Sequence, residues 1–502
     1  MTQLVIMGLY LVLLLGLGLV TNRLFRGTAQ DFFVASRSIG PVMLLMSLFG
    51  TTMTAFALVG SSGEAYRAGI GVFGTLASWS AIVHTGVFLL IGVPLWALGK
   101  RHGYLTQIQF FRDRFESEAI GWMLFPLLVG LVIPYLLTGL LGAGGVVRAL
   151  TQDAFPATGG MAPAVTSLII CLVVLAYVFF GGLRAAAWAN TLQTFVFIVA
   201  GVAASSLIAS KLGGVVAATE AVLAAHPEKL VRGDEYSHLE FLSYALIPLS
   251  AAMFPHIFQH WLTARSAQSF KLTIVAHPLL IVILWVPTVL IGVWATAATL
   301  PDGSLVVPLG HPPNSELATM VEALTEPIIG GLLGAGILAA IMSSLDSQFL
   351  ALGSIFANDV VGPLRGGDIS DSSRVALGRG FVVAVVAVTY LFSLGEPRAV
   401  FAIGIWCFSG FTGLFPLLGA AIYWRGVTKA GAMASIAVTG VVWFGLFHAS
   451  GYGADGDYLF MGLMPVVTIF LVSAITLVGV SLFTKPPDRA TLRKFFPEAK
   501  CA

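Results

Sequence analysis

Residues 339–348 read AAIMSSLDSQ and form the polar centre of an apolar stretch that extends from 325 to 358. Two adjacent serines, an aspartate and a glutamine in a membrane-length segment are costly unless they face a partner, water or a ligand. The stretch is therefore a candidate binding site. Two other interpretations stay open at this point. The small residues can form a close-packing face between helices, or the polar run can mark the end of the helix where it leaves the bilayer.

The composition indicates a polytopic membrane protein. Hydrophobic residues make up 57% of the 502 and charged residues 10%, far from the mixture found in soluble domains. Apolar runs of about 20 residues predict thirteen transmembrane helices. They cover 4–21, 41–59, 70–98, 119–149, 162–181, 185–209, 239–262, 270–298, 325–358, 374–394, 398–423, 428–448 and 459–484.

The distribution of cations predicts the orientation in the membrane. Lys and Arg concentrate in alternate loops, as in Arg37, Lys100 and Arg101, and in the tail. Because cations stay on the cytoplasmic side, we expect a multi-pass protein of the cell (inner or plasma) membrane. Its amino terminus lies outside and its carboxyl terminus inside. The net charge of +2 is not gathered into a basic block, so the lipid bilayer is the expected environment and nucleic acid is not an expected partner.

Two spans contain signals for interruption at membrane depth. The second reads PVMLLMSLFGTTMTAFALVGSSG, with Gly50 followed by Thr51 and Thr52, and the seventh contains AAMFPHIFQHW with Pro255. Glycine and hydroxyl side chains make local unwinding tolerable, and proline removes a backbone donor. An ordinary kinked helix is the alternative. Interruptions at corresponding places predict two inverted five-helix repeats with a binding site at the midplane.

The predicted organisation divides the chain into six parts. These are an extra helix and first cytoplasmic loop (1–40), a first five-helix repeat (41–209), an extracellular loop (210–238), a second five-helix repeat (239–423), two further helices (424–484) and a cytoplasmic tail (485–502).

Six motifs resemble the sodium/solute symporter family, whose members include sodium-coupled proline, pantothenate, monocarboxylate and sugar transporters. In chain order they are DFFVASRSIGP (31–41), SLFGTTMTAF (47–56), GSSGEAYRAG (60–69), FGGLRAAAWANTLQ (180–193), FPHIF (254–258) and GILAAIMSSLDSQFLALGSIFANDVV (336–361). The resemblance implies an all-α protein of the leucine-transporter type, with a 5+5 inverted repeat, one helix before it and two after it.

The resemblance also implies a site for sodium as the coupling ion. Its ligands are the backbone carbonyls of Gly50, Met53 and Ala340 and the hydroxyls of Ser343 and Ser344. A hard cation prefers several oxygen ligands, and this set supplies them without a buried net negative charge. Ala340 precedes the serines by three and four residues, so all three can share one helix face.

The chain departs from the family at positions near this site. Asn190 stands where the family usually has an aspartate on the proposed ion route, so ion release or ion choice can differ. Thr52 replaces an aspartate of the proline transporters, and His260 replaces an arginine found in many relatives. We assign Asn190, Asp346 and Gln348 to the ion route or an inner gate rather than to direct ligation.

A further set of side chains is predicted to line the substrate pocket, and we expect about half of them to touch a ligand. They are Thr51, Thr54, Phe56, Ser78, Trp79, Tyr135, Thr138, His256, Trp406, Ser409 and Phe411. None carries a fixed charge, and Ser78 stands where the sugar transporters have glutamate. Hydroxyls, a free N–H at a half-helix start, His256 and the sodium ion could hold a small carboxylate.

The predicted function is therefore sodium-coupled symport of a small organic solute by alternating access, with a monocarboxylate or pantothenate-like acid favoured. Amino-acid (proline-like) or sugar symport is the alternative within transport, and a monomer is expected to suffice. A membrane sensor that acts with a separate partner is the alternative from another class. The sequence shows no cluster of nucleophile, base and orienting group, so we do not expect an enzyme.

Overall fold

The structure, a computed structural model, describes residues 1–23, 25, 27–233, 236–366, 369–395 and 399–496. Small parts of the predicted loops and the end of the predicted tail, 497–502, lie outside these residues. The described chain is helical, without a strand, and has three isolated β-bridges. The all-α prediction is therefore confirmed.

The first eleven α-helices are α1 (Thr2–Asn22), α2 (Ala29–Val34), α3 (Pro41–Thr52), α4 (Ser61–Ala68), α5 (Ser78–Val87), α6 (Val93–His102), α7 (Gln107–Phe115), α8 (Glu118–Leu150), α9 (Pro163–Lys211), α10 (Val215–Ala225) and α11 (His238–Ser243). The others are α12 (Pro255–Thr263), α13 (Ser269–Ala295), α14 (Glu316–Leu324), α15 (Pro327–Ile355), α16 (Gly362–Leu364), α17 (Asp371–Ser393), α18 (Val400–Gly413), α19 (Phe415–Tyr423), α20 (Lys429–Ala449), α21 (Pro465–Leu482) and α22 (Arg489–Phe495). Short π-helical and 3₁₀ segments continue several of them, including π-helix Phe56–Gly60 before α4 and 3₁₀-helix Tyr244–Ala252 after α11.

The number of spans agrees with the prediction once one long helix is divided. Within the described residues, ten helices are long and apolar enough to cross a membrane, and two bent pairs raise the number to twelve. Helix α9 has 49 residues, about 74 Å at 1.5 Å per residue, which exceeds a hydrocarbon core of about 30 Å. It is interrupted at Gly182, with φ 57° and ψ −153°, a conformation that only glycine adopts readily. Counted as two spans, α9 brings the total to thirteen.

Both predicted interruptions exist, but the first lies later than expected. α3 and the segment Phe56–Ala68 meet at 56°, and His238–Ala252 meets α12 at 51°. Gly50 itself remains helical, and the backbone leaves the helix at Met53 (ψ 92°). Pro255 is the first residue of α12, where its missing N–H costs nothing. The boundaries assigned to the two repeats stay predictions.

Helix α15 lies at the centre of the bundle. It packs against α1, α3, α8, α9 and α17. In the helical run Pro327–Leu364, which begins with α15, 83% of an 18-residue apolar segment is buried, against 28% in Thr2–Thr21 of α1. A helix that is apolar on all sides is expected in such a position. Ala339 to Gln348 lie in the interior of α15 and are buried, so the interpretation as a helix end is wrong.

Candidate functional site

The break in α3 leaves carbonyl groups available next to α15. The last four carbonyls of a helix have no partner within the helix, and Gly50 contributes one of these four because α3 ends at Thr52. Ser343 Oγ lies 2.7 Å from Gly50 O and 2.8 Å from Ala340 O. One hydroxyl hydrogen serves one carbonyl at a time. The Ser343 hydroxyl therefore cannot donate to both carbonyls at once, and the three oxygens form a neutral group that can face a cation.

The other two residues of the predicted sodium site are close to this group in the chain, since Met53 follows Gly50 by three residues and Ser344 follows Ser343 directly. Met53 is buried in the non-helical link after α3, where its carbonyl is outside the helical hydrogen-bond ladder. Ser344 is buried on α15, and its hydroxyl donates to Ile341 O at 3.2 Å. Buried, uncharged oxygens of this kind fit a monovalent hard cation. The role of these residues as ligands stays a prediction.

The residues predicted for the ion route separate into two places. Asp346 is fully buried, and it accepts hydrogen bonds from Tyr177 OH at 3.0 Å and Ser347 Oγ at 2.9 Å. With its amide nitrogen facing the carboxylate, Asn190 lies 3.0 Å from Asp346 Oδ2, and its amide oxygen lies 3.0 Å from Ser347 Oγ. Gln348 is also buried, but neither of its amide atoms has a hydrogen-bond partner among the described residues.

Four of the predicted substrate residues come together in an aromatic box. The box consists of Phe56, Tyr135, Phe254, His256, Phe408 and Phe411, with neighbouring rings 4.8–6.0 Å apart. Phe254 and Phe408 were not predicted; they flank predicted residues on the same helices. Both ring nitrogens of His256 are buried and have no hydrogen-bond partner within the described chain. The box is therefore a cluster of packed aromatic rings that contains a buried imidazole without a hydrogen-bond partner among the described residues.

The hydroxyl residues near the box have different surroundings. Thr54 Oγ1 accepts from Phe56 N at 3.1 Å, and the Tyr135 hydroxyl is hydrogen-bonded to Thr54. Thr138 donates to Tyr135 O at 2.6 Å, so its hydroxyl is satisfied within α8. Thr51 is fully buried, and its hydroxyl has no partner among the residues described.

The remaining predicted residues do not join the box. Trp406 packs against Phe447 and Tyr458, on the side of α18 that faces α20 and α21. Ser409 donates to Ile405 O at 2.7 Å, and Ser409 and Trp406 line a cavity at the end of the bundle that contains Arg67. Ser78 donates to Phe73 O at 3.3 Å. The half-buried Trp79 has an indole N–H without a partner in the described residues.

A polar network lies at the end of the bundle that contains this cavity. Arg67 pairs with Glu64 at 2.6 Å and with Asp457 at 3.2 Å, and Tyr236 OH donates to Glu64 at 2.7 Å. Burial, together with neighbouring Tyr244 and Glu64, holds the pKa of Tyr236 well above its ordinary value, so this hydroxyl stays a donor. The network connects the first broken span to the segment between α20 and α21.

A pair of buried histidines escaped the sequence analysis. His277 Nε2 lies 3.1 Å from Thr52 Oγ1, and the His277 ring is 5.4 Å from that of His84. His84 is on α5, within the membrane-length helical run Phe73–His102, and His277 is on α13. Ionisable side chains inside such helices are a signal of function, and that signal could have singled out each histidine, although not the contact between them.

Comparisons with known proteins agree with this architecture. The model of the sodium:solute symporter family matches residues 32–439. The sodium/proline symporters of Staphylococcus aureus strains JH9 and JH1 are each 26% identical to the chain over 505 residues, covering 96% of this chain and 93% of each relative.

Two solved structures share the fold. A Na⁺-coupled sialic acid symporter in a substrate-bound outward-open state has a TM-score of 0.77 at 18% identity, covering 97% of this chain and 99% of that chain. Mhp1, a nucleobase-cation-symport-1 family transporter in a closed conformation, has a TM-score of 0.59 at 13% identity, covering 92% and 97%. With its broken helices and a family match over most of its length, the chain belongs to the sodium:solute symporter family.

Proposed function

We propose that the chain couples inward movement of sodium to uptake of a small organic solute by alternating access, as a monomer. The observation that carries the proposal is the position of Ser343, whose hydroxyl lies within 2.8 Å of carbonyls on both α3 and α15. In the orientation predicted from the cations, the tail lies in the cytoplasm and the Arg67 network faces outward. One sodium ion would be held by α3 of the first predicted repeat and by α15 of the second.

A bound sodium ion would supply a positive charge at the break in α3. The carbonyls of Gly50, Met53 and Ala340 and the hydroxyls of Ser343 and Ser344 would hold it. One charge that moves inward gains about 2.3 kcal/mol per 100 mV, and each tenfold sodium gradient adds about 1.4 kcal/mol. Together these terms support accumulation of a neutral or zwitterionic solute by about two orders of magnitude, whereas an acid carried as its anion with one sodium ion moves no net charge and gains only the sodium-gradient term.

A monocarboxylate or pantothenate-like acid is the solute that we favour. None of the six residues of the aromatic box is a carboxylate, a lysine or an arginine, so the box offers no counter-ion for a cationic solute. The ring N–H of His256 and the hydroxyl of Thr51, neither of which has a partner among the described residues, can donate to a carboxylate. Bringing a carboxylate to these two donors satisfies polar groups that have no partner in the described chain.

Transport by purified protein in proteoliposomes tests the coupling. We expect uptake of a labelled acid to require an inward sodium gradient, and Ser343→Ala to raise the half-saturating sodium concentration at least about tenfold. Ser435→Ala is the matched control, since Ser435 is buried and bonded to Ser473 in the helices after the predicted repeats. Uptake that is indifferent to sodium, or equal sodium dependence in all three proteins, would refute the proposal.

A proline-like amino acid is the second candidate, because the Staphylococcus aureus relatives are sodium/proline symporters. A thermal-stability screen separates the candidates, since a ligand of the folded state raises its apparent stability. Small acids should raise the melting temperature in sodium and not in potassium, and His256→Ala should weaken that response. Stabilisation by proline alone would assign the box to an amino acid.

A further inference from the structure

A cationic pocket lies at the end of the bundle opposite the Arg67 network, away from the proposed transport site. It forms where α7, the start of α20 and the segment after α21 meet, with a cavity of about 270 Å³. Arg114, Lys429 and Lys485 line it, together with the acidic residues Glu116 and Asp488. The Glu116 carboxylate accepts a hydrogen bond from the Thr491 hydroxyl. The balance of formal charges in the pocket is positive.

Arg114 is a buried cation whose hydrogen-bonding capacity is not exhausted. Its side chain is fully buried, with Nε donating to Ala421 O at 2.9 Å and Nη2 to Trp424 O at 3.2 Å. Nη1 is buried and has no partner among the described residues. Burial lowers the pKa of Arg114 to about 10, which leaves the group charged at neutral pH. The rings of Phe115, Phe495 and Phe496 lie 5.2–5.7 Å from the guanidinium carbon, but no carboxylate among the described residues forms a salt bridge with Arg114, so an anion in the pocket would be stabilised.

The two lysines complete the cationic side of the pocket. Lys429 is the first residue of α20, where the positive end of the helix dipole also favours an anion. Lys485 follows α21 by three residues, and both lysines are exposed. No described side chain forms a salt bridge with either. Their ammonium groups are therefore available to a ligand.

The position of the pocket favours a lipid over a soluble anion. Leu471, Ile475, Val478 and Leu482 are 44–69% exposed and follow one another at helical spacing along α21, so they form an apolar strip that faces the bilayer. The strip ends at Leu482, three residues before Lys485, and Lys485 lines the pocket. An acyl chain can lie along the strip while its headgroup reaches the cations.

We propose that this pocket binds the phosphate of an anionic phospholipid, held by the ammonium groups of Lys429 and Lys485, with the buried guanidinium of Arg114 adding positive charge at the pocket wall. Basic pockets between membrane helices are typical sites for such headgroups. The lipid would also join α7 to the segment that leads into α22, which contacts α7 through a Lys494–Asp113 ion pair.

Thermal unfolding of the full chain in a neutral detergent tests this site. The probes are phosphatidylglycerol, phosphatidylcholine, inorganic phosphate and glycerol 3-phosphate. We expect only phosphatidylglycerol to raise the melting temperature of the wild type. The double variant Lys429→Ala/Lys485→Ala should need at least roughly tenfold more of it for the same rise. Because neither lysine side chain forms a described hydrogen bond, this variant is expected to fold.

The control is Lys271→Ala/Arg365→Ala, which removes two exposed cations predicted to lie on the same face and distant in sequence from the pocket. It should respond to phosphatidylglycerol like the wild type. Three results would overturn the proposal: equal midpoints for the double variant and the wild type, equal stabilisation by phosphatidylcholine, or stabilisation by inorganic phosphate as large as that by phosphatidylglycerol. The last result would assign the pocket to a soluble phosphate.

Discussion

At the scale of single residues, Gly50 shows how a missing side chain brings the proposed ion site together. A Cβ atom at this position would lie 2.3 Å from Thr194 Oγ1 and 3.6 Å from Ser343 Cβ. The Thr194 hydroxyl is held by a hydrogen bond to Met46 O at 2.8 Å, so it cannot move away without losing that bond. α3 can approach α9 and α15 this closely only because residue 50 is glycine.

Gly50→Ala is therefore expected to destabilise the protein by about 1–3 kcal/mol, the usual cost of overpacking, and to weaken sodium binding. Thermal unfolding in detergent measures the first effect. Thr194→Ala removes the atom that the new methyl group would meet, so the double variant should recover part of the loss. Gly130→Ala is the control, since nothing lies within 4 Å of a Cβ atom there. A melting temperature of Gly50→Ala equal to that of the wild type would contradict the argument.

The residue scale also shows what sequence reasoning could reach. Ser343 and Ser344 were candidates because hydroxyls stand out in an apolar helix, whereas their assignment as sodium ligands came from the family resemblance and stays a prediction. The direction in which the Trp406 side chain points could not be predicted, because α18 is apolar on all sides and its pattern does not indicate which face meets the pocket. The His84–His277 pair depends on a tertiary contact between α5 and α13, which no local pattern encodes.

At the scale of elements, hydropathy predicted the spans well, whereas the positions of the breaks depended on local packing. Gly50 was expected to unwind α3, but its role is close approach, and the helix continues to Thr52. At Gly182 a Cβ atom would lie 2.6 Å from Phe32 O, so the contact with α2 determines where α9 is interrupted. Such contacts join residues distant in the chain, and hydropathy carries no information about them.

Helix α14, which lies outside the predicted membrane spans, contains a carboxyl group that makes stability depend on pH. Burial, with a smaller contribution from Asp153, raises the pKa of Glu322 to about 7, from an ordinary 4.5. Between these two values the folded state holds a proton that the unfolded state releases. Stability therefore falls as pH rises through this window.

Glu322→Gln removes that dependence. We expect the variant to melt at a higher temperature than the wild type at pH 8, and the difference to shrink towards zero as the pH falls to 4.5. Asp153→Asn should give a smaller effect in the same direction, because its carboxylate is the lesser cause. Melting temperatures measured across this pH range, with Glu326→Gln as a control at a nearby exposed carboxylate, provide the check. A difference that stays constant with pH would contradict the assignment.

At the scale of the whole molecule, the proposed ion site joins the two predicted repeats. Gly50 and Met53 belong to the first repeat, and Ala340, Ser343 and Ser344 belong to the second. In the structure, the contact between the two halves at this point is a single hydroxyl facing two carbonyls. A cation held by both sets of oxygens would add a bond between the halves that the apo protein lacks, so ion binding and the packing of the repeats should be coupled.

Sodium should therefore stabilise the entire fold. At a concentration of about 100 times its dissociation constant, a ligand of the folded state adds roughly 2.7 kcal/mol, which raises the melting temperature by a few degrees in a chain of this size. We expect this rise in sodium chloride and not in potassium chloride at equal ionic strength. Ser343→Ala should lose at least about half of the rise, since binding weakened tenfold leaves roughly 1.4 kcal/mol at the same concentration, whereas Ser435→Ala should keep all of it. Equal stabilisation by both salts would show that ionic strength alone causes the effect, and an undiminished rise in Ser343→Ala would place the ion elsewhere in the bundle.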